Sequence, residues 1–317
     1  MGAAASAFRE LALSSDPGLG THIQRRWRML LRRNKRYLWK LRMSYRLLSA
    51  DSRTLPRFLV IGAQRGGTTA LYTYLIQHPH ILRAARKEVH FFDLHFHEGV
   101  GWYRAHFPLC STMARRGDAL GGPILTGEAT PYYLFHPDAP QRIASVLPGV
   151  RLIALLRDPV ARAYSHYTFA AGGGRDRLTF KEAVRWERDH LDRASENGVE
   201  SVSSYGSRNH MRHSYLARGI YARQLKAYFD CFDRKDVLVA CSENLFRDPQ
   251  GTCDVILRFL GLGSCELRDS KPRNTGLYGR RRLENVDDEL LSELRAFFQP
   301  FNKELYDLLG IDFHWGE

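Results

Sequence analysis

The sequence predicts an α/β protein, a P-loop-like three-layer α/β/α fold around a central parallel sheet. Three observations carry that expectation. The apolar run RFLVIGA leads through a glycine-rich turn into TTALYTYLIQHP, where Ala70, Leu71, Tyr74 and Leu75 share one helical face and His78-Pro79 ends the element. Short apolar runs recur at RLIALL (151–156) and DVLVACSENL (236–245) with helical stretches between them, and strands alternating with helices build a parallel sheet covered on both faces. Gly62 and Gly67 have the G-x-x-x-x-G spacing of a phosphate-binding turn.

In chain order, residues 1–55 are expected to be a basic arm and 56–317 a single domain, since 317 residues suffice for one large α/β core. The net charge of +13 is local: ten Lys or Arg residues and no acid lie between His22 and Leu48, which leaves +3 for everything else. Trp27, Leu30, Leu31, Tyr37, Leu38, Trp39, Leu41 and Leu48 interleave with those charges. Such a segment can lie on an anionic membrane, or pack its aromatic residues on its own domain with the charges in water. The opening MGAAAS matches a short myristoylation pattern. No nucleic-acid partner is expected. Further on, AGGGRDR reads as a loop and LTFKEAVRWERDHL as a helix, while residues 195–214 read as a polar excursion. The tail DDELLSELRAFFQPFNKELYDLLG is expected to break at Pro300 into two helical segments.

The five cysteines include no C-x-x-C pair, there is no N-x-[ST] acceptor, and no cleavable signal or apolar run of bilayer-spanning length occurs. Those absences favour the cytosol, with a peripheral membrane contact allowed, over the Golgi lumen.

The turn departs from that of a nucleotide triphosphatase. Thr68 and Thr69 follow Gly67 where a lysine should reach toward a γ-phosphate, and the basic residue, Arg65, lies inside the loop. Backbone N–H groups and hydroxyls at a helix start still suit a phosphate. A second candidate is LLRDPVARAYSHY. Arg157 ends a buried strand, Asp158 and Pro159 make a good N-cap and first helical residue, and Ser165 lies two turns further on. Ligands of doubly wound sheets bind beyond the carboxyl ends of the strands, so Arg157 should open into the same crevice as the glycine turn.

Six ordered segments, GAQRGGTTAL, KEVHFFD, LLRDPVARAYSHY, LTFKEA, GIYARQL and KPRNTG, resemble the PAPS-dependent sulfotransferases from about Arg57 to Trp315. They are most similar to the heparan sulfate N- and 3-O-sulfotransferase branch and its bacterial relatives. PAPS is an adenosine with a 5′-phosphosulfate and a 3′-phosphate, so a lysine reaching for a γ-phosphate would have no target. The resemblance implies that Gly66, Gly67, Thr68, Thr69 and Ala70 hold the 5′-phosphate and that Arg65 stabilises the leaving phosphate electrostatically. It further implies that Arg157 and Ser165 hold the 3′-phosphate, with Lys271, Arg273 and Asn274 closing over it. The base that deprotonates a carbohydrate hydroxyl would be Glu88, with Lys87, His90 and Asp93 beside the acceptor. Alternation puts Glu88 and His90 on one face of an extended segment. The implied transfer is in-line and needs no metal. Two departures bear on whether the acceptor is a heparan-like polyanion: Ala129 stands in GEATPYY where those enzymes commonly have a lysine, and no close cysteine pair adjoins KPRNTG. Two alternatives stand beside this reading. A P-loop kinase would need the lysine and a magnesium-binding partner, and a non-catalytic membrane or nucleic-acid adaptor would act through the basic arm.

Overall fold

The structure is a computed structural model that describes residues 37–196, 214–269, 283 and 286–316. The MGAAAS start, most of the basic arm, nearly all of the 195–214 excursion, and Lys271, Arg273 and Asn274 lie outside the described residues. The chain divides into two units, Met1–Ala50 and Asp51–Glu317. In the first, residues 37–48 are helical.

The second unit is built on five strands, β1 Phe58–Gly62, β2 Ile81–Arg83, β3 Leu125–Ala129, β4 Arg151–Leu156 and β5 Val237–Cys241, in the order β2-β3-β1-β4-β5. Every pairing is parallel, as in Val60 opposite Ala129 and Leu152 opposite Val237. Its helices are α1 Thr68–Leu75, α2 Gly99–Arg104, α3 Cys110–Leu120, α4 Ala139–Val146, α5 Pro159–Gly172, α6 Phe180–Glu196, α7 Tyr221–Phe229, α8 Ser242–Arg247, α9 Pro249–Phe259 and α10 Asp288–Leu309.

The central strands read as unbroken apolar runs because both of their faces are covered. Leu59, Ile61, Leu152, Ala154 and Leu156 point into a core with Phe91, Tyr103, Ile143 of α4, Tyr221 and Leu225 of α7 and Leu305 of α10. Phe58, Val60, Ile153 and Leu155 point the other way, onto Leu71 and Leu75 of α1 and Ile256 and Leu257 of α9. A third cluster joins α5, α6 and α10 through Val160, Tyr164, Phe180, Val184, Leu294 and Phe298. The three-layer parallel architecture is therefore present.

One expectation about the tail is corrected. Residues 288–309 form a single helix with Pro300 inside it. Its buried residues Leu290, Leu294, Phe298, Asn302 and Leu305 make one stripe on both sides of the proline. That continuous packing outweighs the lost backbone bond, because most helical stability in proteins comes from burying a face.

Candidate functional site

β1 turns from one neighbour to the other in connectivity. The chain leaves it toward β2 and β3, then crosses back to β4 on its opposite side. Such switch points leave a crevice beyond the strand ends. The glycine turn after β1 and Arg157 after β4 both open there.

The turn is held tightly from below. Gly66 N–H donates to Ala63 O at 2.9 Å, Ala63 N–H to Leu155 O at 2.8 Å, and Ser242 Oγ donates to Gly66 O at 2.6 Å. A Cβ on Gly66 would stand 2.5 Å from Leu155 O and 3.0 Å from Ala63 O, so only glycine fits without displacing backbone. Gly67, at φ 89°, caps α1 with no side-chain acceptor for the first-turn N–H groups, which include those of Thr68, Thr69 and Ala70. The helix thus presents an uncapped positive end.

The residues drawn from two distant motifs meet here. Arg157 Nη1 donates to Arg65 O at 3.2 Å, so its guanidinium faces the turn, and Tyr221 Oη donates to Arg157 O at 2.8 Å. Arg65 Nε donates to Ser165 Oγ at 3.1 Å, with its guanidinium 4.9 Å from the centre of the Phe169 ring. Asp158 caps α5 by accepting from Ala161 N–H at 2.6 Å, with Pro159 as the first helical residue. One further residue was not legible in the motifs. The buried Arg218 donates to Gln64 Oε1 and lies over Tyr132 and Phe135, its centre 4.8 and 5.0 Å from the rings, and burial pulls its pKa down to about 9.

The KEVHFFD segment follows β2 and runs beside the end of β3, where Ala129 N–H donates to Lys87 O at 3.2 Å. It forms a chain of charges. Lys87 Nζ is 2.7 Å from Glu88 Oε1, Glu88 Oε2 is 3.7 Å from His90 Nε2, and His90 Nδ1 is 2.7 Å from Asp93 Oδ2. Asp93 is fully buried on its side chain while Glu88 is 43% exposed, so the chain runs from the interior outward. The close contact with His90, opposed by burial and helped by Lys87, brings the Glu88 carboxyl down to about 2. Burial disfavours the charged imidazole of His90, but the Asp93 hydrogen bond and the charges of Asp93 and Glu88 outweigh it and carry its pKa up to about 9. At neutral pH Glu88 is an anion and His90 a cation.

Beneath this segment lies Glu128, fully buried in β3. The motif reading passed over it although it stands in GEATPYY; an acid inside a strand run was the available signal. No group of His, Cys, Asp and Glu able to hold a metal ion occurs among the described residues.

Residues 55–272 match the sulfotransferase domain family. The chain belongs to the sulfotransferase family. This sulfotransferase is 32% identical over 288 residues to human heparan sulfate glucosamine 3-O-sulfotransferase 3A1, covering 85% of this chain and 64% of that protein. It is 24% identical over 328 residues to the membrane-associated sulfotransferase kil1 of Dictyostelium discoideum, covering 82% of this chain and 66% of the other. The crystal structure of a sulfotransferase from Alicyclobacillus acidocaldarius superposes with a TM-score of 0.61 at 29% identity, covering 82% of this chain and 97% of that one. The chain spans about two thirds of the length of these two curated relatives, 64% and 66%. The kinase and adaptor alternatives find no support in the family match.

These relatives also correct the expected cytosolic location. One of them is membrane-associated by name. The cytosolic reading rested on missing features, and neither unpaired cysteines nor a lack of glycosylation acceptors specifies a compartment. No helix among the described residues is long and apolar enough to cross a membrane.

Proposed function

We propose that this sulfotransferase moves a sulfuryl group from PAPS to a hydroxyl of a carbohydrate acceptor by in-line displacement, with Glu88 as the base. The observation that carries the reading is the outward-running array Lys87, Glu88, His90 and Asp93, with the Glu88 carboxylate at its exposed end. The crevice suits the donor: the glycine cradle at Gly66 admits no Cβ, the start of α1 lacks a side-chain cap, and Arg157 lies on the turn.

In this reading the first-turn N–H groups of α1, with Gly66, Gly67, Thr68, Thr69 and Ala70, receive the 5′-phosphate. Arg157 and Ser165 receive the 3′-phosphate. The bound donor supplies a sulfuryl group on a phosphate leaving group. Arg65 meets the charge that develops on that phosphate, which requires its guanidinium to leave Ser165 and turn toward the transfer centre. Glu88 accepts the proton of the acceptor hydroxyl. An ion with a pKa of about 2 is a weak base, so the acceptor has to displace Lys87 Nζ from Oε1, which removes a cation and raises the carboxyl's proton affinity. His90, anchored by buried Asp93, then orients the carboxylate.

The curated relative of known specificity acts on heparan sulfate glucosamine by name, which favours a glycan acceptor here as well. The same reading keeps residues 22–48 as a contact for an anionic membrane surface. The helix at 37–48 leaves Leu38, Leu41, Tyr45 and Leu48 exposed along with Lys40 and Arg42.

Glu88→Gln tests the assignment. With PAPS and a glycan acceptor panel, turnover should fall by roughly two to four orders of magnitude, the scale of a lost general base, while affinity for 3′,5′-ADP stays within about twofold. Unchanged turnover would remove Glu88 from the mechanism.

A further inference from the structure

The segment between Glu88 and Phe91 is an unusual piece of backbone. His90 sits at φ 58°, in the left-handed region that a non-glycine residue occupies at a cost. Three successive N–H groups, those of Val89, His90 and Phe91, are tied to one buried carboxyl, the first directly and the other two through hydroxyls. Val89 N–H donates directly to Glu128 Oε2 at 3.1 Å. His90 N–H donates to Thr130 Oγ1 at 3.4 Å, and that hydroxyl donates on to Glu128 Oε2 at 2.6 Å. Phe91 N–H donates to Tyr133 Oη at 2.9 Å, and that hydroxyl donates on to Glu128 Oε1 at 2.8 Å. Tyr103 Oη completes the set at 3.1 Å.

We propose that Glu128 is the positioning residue of the acceptor side: one buried carboxylate fixes the backbone of Val89, His90 and Phe91, and thereby the aim of Glu88 and His90. The carboxyl that anchors this left-handed turn comes from β3, the strand next to β1, and reaches two of the three N–H groups through hydroxyls. Four donors reach the two oxygens, so every hydrogen-bonding direction of the carboxylate is used. A glutamine would have to turn its NH2 group toward the Tyr103 and Tyr133 hydroxyls and reverse both of those bonds. Burial raises the Glu128 pKa to about 7, with the bonds from Thr130, Tyr133, Val89 and Tyr103 pulling it back. The arrangement ties the turn rigidly to the sheet that also carries the glycine turn, so that base and donor crevice share one frame. A misplacement of about 1 Å at a reacting group costs on the order of a hundredfold in rate, which is what the strained turn guards against.

The inference rests on Glu88 and His90 being the acceptor-side groups, and the experiment separates the two. Thr130→Val removes the relay to His90 N–H, and Thr130→Ser keeps it. Thr130→Val should lower kcat by roughly ten- to a hundredfold with the KM for PAPS within about twofold. It should also lower the NMR titration midpoint of the His90 imidazole by about one pH unit, as the ring loses its registration on Asp93. Thr130→Ser should restore both readouts. Glu128→Gln, which reverses the two tyrosine bonds, should act in the same direction. Tyr103→Phe, which strips a donor from the carboxylate but holds no N–H of the turn, should lower the melting temperature without moving the His90 titration. If Thr130→Val and Glu128→Gln keep wild-type kcat per folded molecule and the wild-type His90 titration, or if Thr130→Ser fails as badly as Thr130→Val, Glu128 is structural only. The titration reads the turn without turnover, so a shifted midpoint supports the positioning role even if Glu88→Gln proves active and the base lies elsewhere.

Discussion

Asp93→Asn offers a direct measure of the charge array. Asp93 Oδ2 lies 2.7 Å from His90 Nδ1, and Asp93 Oδ1 accepts from Leu94 N–H at 2.7 Å. In the asparagine variant Oδ1 can keep the backbone bond, while the NH2 group faces His90 Nδ1 and forces that nitrogen to accept. The imidazolium then loses its principal partner, and burial, which already opposes the charge, is left opposed only by Glu88. The rise of the His90 pKa from 6.5 to about 9, at about 1.36 kcal/mol per pH unit, corresponds to roughly 3 kcal/mol favouring the protonated folded state. The side chain is 23% exposed, so solvent trims that figure toward about 2 kcal/mol. Because the folded-state pKa is raised, this stabilisation is complete below pH 6.5 and is lost as pH rises through about 9. NMR titration of the imidazole should place the wild-type midpoint near 9 and the variant at or below 6.5. Urea denaturation at either end of that window should show wild type losing about 2 kcal/mol more than the variant. A variant midpoint still near that of wild type would refute the argument, since Asp93 would then not be what holds the proton on His90.

Arg157→Ala should weaken 3′,5′-ADP binding by roughly ten- to a hundredfold, the size of a lost charge-assisted contact, and isothermal calorimetry showing full affinity would remove Arg157 from the crevice. Gly66→Ala forces a methyl to within 2.5 Å of Leu155 O. It should destabilise the fold by about 1–3 kcal/mol in urea and abolish donor binding, and a variant that binds 3′,5′-ADP normally would show that the cradle tolerates displacement.

Much of the fold could be read from local pattern. β1 and β4 announce themselves as apolar runs because each is covered on both faces, β5 is an apolar run with one face half-buried, and Asp158-Pro159 marks the start of α5 by its own chemistry. β2 and β3 left no such trace. β2 has three residues and ends in exposed Arg83, while β3 holds Gly127 and Glu128, which break the β-branched pattern. Pro300 misled in the opposite direction, since its cost is local and the stripe that overrides it is tertiary.

At the site, local pattern is enough to pick out the residue types able to meet an anion, because a glycine turn without its lysine and an Arg157 at a strand end are local facts. Which of them meet is set by the folded chain. Arg65 and Ser165 are 100 residues apart and joined by one hydrogen bond, which exists because the connection from β3 crosses β1 to reach β4. Glu128 is the sharper case. A carboxylate in a strand looks like an error until its donors arrive from Val89, Tyr103, Thr130 and Tyr133. Periodicity records which face of an element is buried, whereas the partner that satisfies a buried charge is set by how distant segments return to the same place in the sheet.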